Sequence, residues 1–239
     1  MTFDPAFWSA LGQIIGINII LSGDNAVVIA LACRNLPDRY RNKAIFAGSA
    51  GAIILRIIFS IFVVELMTFP WLKLIGGVLL LWIGVKLIVP ESEHGEGVEG
   101  SGDLWGAIRT VVIADAVMSL DNVIAIAAAA RGSFTLLVIG LAISIPLIIV
   151  GSQLILKILI KYPVLVVAGG GLLGWIAGEV MSTDPMIEPW VNANAEWLHF
   201  WAKPIGAAVV IAIGKGIAWR RAASAPPQEV EDLAEGERK

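Results

Sequence analysis

The chain has 239 residues, 57% of them hydrophobic and 15% charged, with a mean hydropathy of +0.82 and a formal net charge of -3. Soluble domains carry about 25% charged residues, so this composition excludes an ordinary soluble fold and belongs to the integral membrane class. No basic stripe of the kind that binds nucleic acid is present, and the single Cys33 excludes an internal disulfide framework and a cysteine-based zinc site.

Met1 to Phe7 lacks the charged n-region, short apolar core and small-residue cleavage site of a signal peptide, so the first apolar segment is expected to be a retained span. Apolar runs of about twenty residues read as transmembrane helices. Seven are expected, at 7–33, 43–66, 69–89, 104–130, 134–160, 163–181 and 203–219, giving an all-α membrane protein. Residues 90–103 are acidic and glycine-rich. With one histidine, His94, among mobile carboxylates, they read as a solvated linker and not as a metal-sensing loop. Residues 182–202 read as a loop and 203–221 as the seventh helix. Residues 222–239, with Pro226-Pro227 and five acidic residues, read as a disordered tail.

Lysine and arginine orient the bundle. Arg34, Arg39, Arg41 and Lys43 fill the first connection, Lys157 and Lys161 flank the fifth, and Arg220 and Arg221 follow the last helix. Nothing basic precedes Phe7. The positive-inside rule then places the N-terminus outside and the C-terminus in the cytoplasm, across a plasma (inner) membrane.

An internal repeat organises the chain. Sliding 8–34 onto 105–131 without a gap matches Trp8 to Trp105, Ala10 to Ala107 and Ser22 to Ser119. Asp24, Asn25, Ile29, Ala30, Ala32 and Arg34 fall on Asp121, Asn122, Ile126, Ala127, Ala129 and Arg131, and Asn18 falls on Asp115. The third and sixth runs correspond too, through Gly76-Gly77 with Gly169-Gly170 and Trp82-Ile83 with Trp175-Ile176. Three spans per unit, 1–89 and 104–181, mean that the second copy enters the membrane from the opposite face. Paired polar interruptions in inverted repeats are a transporter signature and point to the binding site.

Asn18, Ser22 and Asn25 are spaced i, i+4, i+7 and share one helical stripe, as do Asp115, Ser119 and Asn122. Asp24 and Asp121 sit about one helical step away from those stripes. Gly23 permits local unwinding, and carbonyls freed at membrane depth become ligands where they line a cavity. Such oxygen donors suit hard divalent cations, Mg²⁺, Ca²⁺ or Mn²⁺, better than Zn²⁺ or Cu⁺. Three carboxylates exceed the charge of a divalent cation. Either a proton relieves the excess, or Arg56, mid-way along the second span, neutralises one of them. The plainer reading makes Asn18, Ser22 and Ser119 bridges between helices. Glu179, Lys86 and Glu65, near helix ends, are expected to snorkel or form ion pairs. The glycine clusters are expected to allow close helix packing.

The two phrases Asn18-Ile-Ile-Leu-Ser22-Gly-Asp24-Asn25-Ala26-Val27-Val28-Ile29-Ala30 and Asp115-Ala-Val-Met-Ser119-Leu-Asp121-Asn122-Val123-Ile124-Ala125-Ile126-Ala127 resemble those of the TerC family of integral membrane proteins. The similarity is greatest to its YjbE-like branch, within the LysE-like transporter superfamily. The resemblance implies a seven-helix bundle, two inverted three-helix repeats plus a seventh helix, that serves metal-ion homeostasis, with manganese export as the expected activity. Asp24, Asn25, Asp115, Asp121 and Asn122 would then be metal-pathway residues, flanked by Asn18, Ser22 and Ser119. The expected partners are a divalent cation and the lipid bilayer. No cofactor is implied, the ion being cargo, and homo-oligomerisation stays open. Two other classes compete. An intramembrane aspartyl hydrolase would use two Asp residues as acid and base, but the Gly-x-Gly-Asp phrase is missing because Leu21 stands two places before Gly23. A non-transporting membrane partner, helping exported proteins to assemble, would keep its function without Asp24 and Asp121.

Overall fold

The computed structural model describes residues 5–21, 23–62, 66, 68–89, 101–130 and 133–224. All of Ser22 and Glu65, the linker as far as residue 100, the tail from 225, and the side chains of Asn18 and Asp121 lie outside the described residues. The described chain is helical: α1 Pro5–Leu21, α2 Gly23–Cys33, α3 Asp38–Ile61, α4 Leu72–Ile88, α5 Ser101–Ala129, α6 Phe134–Lys161, α7 Val164–Ser182, α8 Glu188–Asn194 and α9 Leu198–Ser224.

The first apolar run is described as α1 and α2, on either side of Ser22, and the short α8 lies between the sixth and seventh runs. Among the described residues four helices are long and apolar enough to cross a membrane, at Asp38–Ile61, Phe134–Lys161, Val164–Ser182 and Leu198–Ala223. Local signals account for several ends. Pro37 stops the first connection from being helical up to Asp38, and the Ser133 hydroxyl accepts the Leu136 N–H at 3.3 Å, capping α6. Large apolar side chains face outward along the helices, among them Phe46, Ile54, Val78, Trp82, Val150 and Leu154. That is the reverse of a soluble surface and fits a hydrocarbon surround. Trp71, Trp190, Trp197 and Trp201 are exposed near one set of helix ends, and Trp105 and Trp219 near the other, as in interfacial aromatic belts.

Inside, the helices sort into two groups. α1, α2, α3, α5 and α6 pack on one another, and α4, α7 and α9 do the same. The second group is drawn together by glycine. A Cβ on Gly178 would collide with the Ala202 carbonyl of α9, and one on Gly174 with the Gly206 carbonyl. Only residues without side chains let two helix backbones meet this closely. An apolar seam joins the groups, with Val28, Ala114, Val117 and Met118 on one side and Leu80, Ile83, Leu173, Ala177 and Val180 on the other.

A buried carboxylate ties the second group at one end. Asp184, 0% exposed after α7, accepts the N–H groups of Trp71 (3.3 Å), Leu74 (3.1 Å) and Met186 (2.9 Å). It thereby satisfies donors at the start of α4, where Trp71 takes a left-handed φ of 66°. Lys73 is buried beside it, with Nζ 3.4 Å from the Thr183 hydroxyl.

Candidate functional site

The polar centre lies in the first helix group, where α2 and α3 both pack on α5. Asp24 and Asn25 lie at the N-terminal end of the described helix α2. The Asn25 N–H donates to Asp24 Oδ1 at 2.8 Å. Asp24 itself is half-buried, whereas Asn25 is 2% exposed. Both amide atoms of Asn25, Nδ2 and Oδ1, are buried without a hydrogen-bond partner among the described residues. Buried polar groups are nearly always paired, so this amide is an exception that calls for an explanation.

Across from it lies a buried ion pair. Arg56 of α3 is 1% exposed. Its Nη2 donates to Asp115 Oδ1 at 2.6 Å and its Nε to the Ser119 Oγ at 3.0 Å. The Ser119 hydroxyl in turn donates to Asp115 Oδ2 at 3.0 Å, across the i, i+4 spacing that puts both on one face of α5. The Asp115 carboxylate is therefore engaged at both oxygens. Asp24 lies within electrostatic reach of Asp115 and Arg56, which joins the two halves into one charged centre.

The candidate residues thus separate. Asp24 and Asn25 of the first copy and Asp115 and Ser119 of the second share this centre. Asn122 is half-buried on α5. Asn18, Ser22 and Asp121 contribute no described side chain. Among the described residues no three His, Cys, Asp or Glu side chains form a metal-holding cluster. The oxygen donors that are described, a carboxylate and an unpartnered amide, are of the hard type that divalent cations other than zinc prefer.

Other polar residues have their own partners. Glu179 Oε1 accepts from Lys203 Nζ at 2.5 Å, an ion pair between α7 and α9. Lys86 Nζ stands 5.6 Å from the Trp82 ring centroid. Cys33 is fully buried in the core. Sequence reasoning missed a polar stripe on α3. Ser49, Arg56 and Ser60 recur at i, i+7, i+11, all are buried, and the Ser49 hydroxyl has no hydrogen-bond partner among the described residues. Helical spacing of small polar residues around Arg56 was the signal for it. Asp184 and Lys73 were missed too; the Thr183-Asp184-Pro185 turn was the available clue.

Comparison with known proteins adds the family. The family model described as "Integral membrane protein TerC family" matches residues 3–224. The chain is 48% identical over 171 residues to the "Uncharacterized membrane protein YjbE" of Bacillus subtilis (strain 168), covering 72% of this chain and 78% of that protein. It is 30% identical over 183 residues to the "Uncharacterized membrane protein YceF" of the same strain, covering 73% and 71%. Over 140 residues it is 33% identical to the "UPF0053 inner membrane protein YgdQ" of Escherichia coli (strain K12), covering 51% of this chain and 58% of that one. No solved structure matches the chain. With a family match that spans nearly all of its helices, this multi-pass integral membrane chain belongs to the TerC family.

Proposed function

We propose that the chain is a secondary transporter, and not an enzyme, that exports a divalent metal cation, Mn²⁺ above all, through the polar centre between α2, α3 and α5. The observation that carries this reading is Asn25, buried beside Asp24 with neither amide atom hydrogen-bonded among the described residues. Leaving such a group unpaired costs about 1–3 kcal/mol, a cost that an oxygen-seeking cation would relieve. Charge supports the same reading. Asp24, Asp115 and Asp121 carry three negative charges, and Arg56 cancels one. The remainder matches one divalent ion. Preference for Mn²⁺ over Ca²⁺ rests on the family resemblance, and exchange for protons is the coupling that intramembrane carboxylates offer.

Helix pairing supports the inverted repeat. Exchanging α1 and α2 for α5, α3 for α6 and α4 for α7 turns the α3–α5 contact into α6 against α1 and α2. The same exchange turns α2–α7 into α5–α4, which also pack together. The distribution of lysine and arginine supports an N-terminus outside and a cytoplasmic C-terminus, and the printed name of the Escherichia coli relative supports an inner-membrane location. The engagement of Asp115 by Arg56 speaks against a proton-sharing aspartyl dyad.

The test is the intracellular manganese content of cells under manganese excess, expressing this chain or its Asp24→Asn form at matched levels. Export through the centre predicts that the unaltered chain lowers manganese and the variant does not. Equal manganese in both, whether lowered or not, refutes the site. The non-transporting membrane partner then becomes the better reading.

A further inference from the structure

We propose that Arg56 is the carrier's internal counter-cation: it competes with the cargo for Asp115 and takes that carboxylate over when the cargo leaves, so that the protein can reorient without metal while its other carboxylates carry the counter-protons. The inference rests on the transport reading above and deepens it.

Three observations lead to it. Arg56 and Asp115 are 1% and 7% exposed, so neither charge is matched by water. A guanidinium keeps its charge at any accessible pH, so Arg56 is a permanent cation tethered inside the bundle. Arg56 Nη2 and the Ser119 hydroxyl engage the two oxygens of Asp115 at 2.6 and 3.0 Å. A metal ion that binds Asp115 therefore competes with Arg56 for it. Asp24 differs, because its described bonds are to the backbone N–H groups of Asp24 and Asn25. Of the two described carboxylates of the centre, one thus has a built-in substitute for the cargo and one does not.

A carrier has to return to its starting side after delivery. An unmatched carboxylate at bilayer depth resists that step, since isolated charges there are costly. Arg56 reduces the unmatched charge of the metal-free centre and leaves only the other carboxylates for counter-protons to neutralise. Its long, flexible stem allows it to withdraw when a divalent ion arrives and to close again afterwards. On this account Arg56 is a positioning residue for the cycle and never a metal ligand.

The test uses the full chain in proteoliposomes with radioactive Mn²⁺. Net efflux into manganese-free buffer requires the metal-free return, whereas exchange with Mn²⁺ on both sides bypasses it. Arg56→Gln is expected to raise the ratio of exchange to net efflux roughly tenfold and to tighten Mn²⁺ binding, read by calorimetry, by a similar factor, since an opposing charge is gone. Arg56→Lys, which keeps the charge, is expected to stay within about twofold of the unaltered ratio. If Arg56→Gln does not fold, Arg56→His must show a ratio that rises with pH, beyond any change in the unaltered chain, as the imidazole loses its charge. A merely structural Arg56 would lower both fluxes together and leave the ratio unchanged, and that result overturns the inference. Absence of any Mn²⁺ flux in the unaltered chain would instead refute the transport reading itself.

Discussion

Removing one member of the Arg56–Asp115 pair should damage the fold far more than removing both. Arg56→Met strands a carboxylate that is 7% exposed, and Asp115→Leu strands a guanidinium that is 1% exposed. Breaking a buried pair from one side costs about 3–5 kcal/mol, because the surviving charge keeps its desolvation penalty and loses its attraction. The double variant leaves no charge behind and fills the space with side chains of suitable size. It is expected within about 1–2 kcal/mol of the unaltered protein. The coupling between the positions is then roughly 4 kcal/mol or more, well beyond the ~0.3–0.5 kcal/mol departures seen for independent sites. Thermal unfolding of the four proteins in one detergent reads this directly. At about 2–4 °C per kcal/mol for a chain of this length, each single variant should melt roughly 6–20 °C lower and the double variant close to the unaltered chain. A double variant that melts as low as the two single losses added together would refute the mutual charge match.

Asn25→Leu should raise the melting temperature while abolishing Mn²⁺ efflux, because it removes an unpaired amide worth about 1–3 kcal/mol and with it a proposed ligand; a lower melting temperature would mean that the amide is satisfied in the folded protein. Gly178→Val forces side-chain atoms into the Ala202 carbonyl and should cost about 1–3 kcal/mol or more, read as a lower melting temperature. An unchanged melt would show that α7 and α9 have room to separate. In a Cys33→Ser background, a membrane-impermeant maleimide applied to intact cells should label Asn194→Cys and not Ser224→Cys. The opposite pattern would invert the proposed orientation.

Much of this architecture is legible in the order of residues, for physical reasons. Hydrocarbon surroundings demand long apolar helices, so composition alone announces the class, and each of the seven runs overlaps at least one of the observed helices. The duplicated Ser-x-Asp-Asn phrases drew attention to α2 and α5, which do pack together. Arg56 was visible as a candidate neutraliser, but its choice of Asp115 over Asp24 depends on how α3 meets α5, a contact between positions 59 apart that no local pattern encodes. Asp184 was missed because its role is to accept backbone N–H groups from α4, more than a hundred positions earlier. Arg41 shows the reverse case. Counted as a topology signal, it also closes the first connection, donating to the Leu36 carbonyl at 3.1 Å.

Helices that meet at the seam differ in reach. α4 and α7, with 17 and 19 residues, span about 26 and 29 Å, whereas α5 and α6, with 29 and 28 residues, span about 44 and 42 Å. A hydrocarbon core of about 30 Å suits the first pair standing upright and the second only when tilted or extending past the acyl chains. Mismatch costs fractions of a kcal/mol per ångström, and the two pairs incur it in opposite directions as the bilayer thickens. Lipid tail length therefore acts on this protein as a differential force, pulling α4 and α7 against α5 and α6.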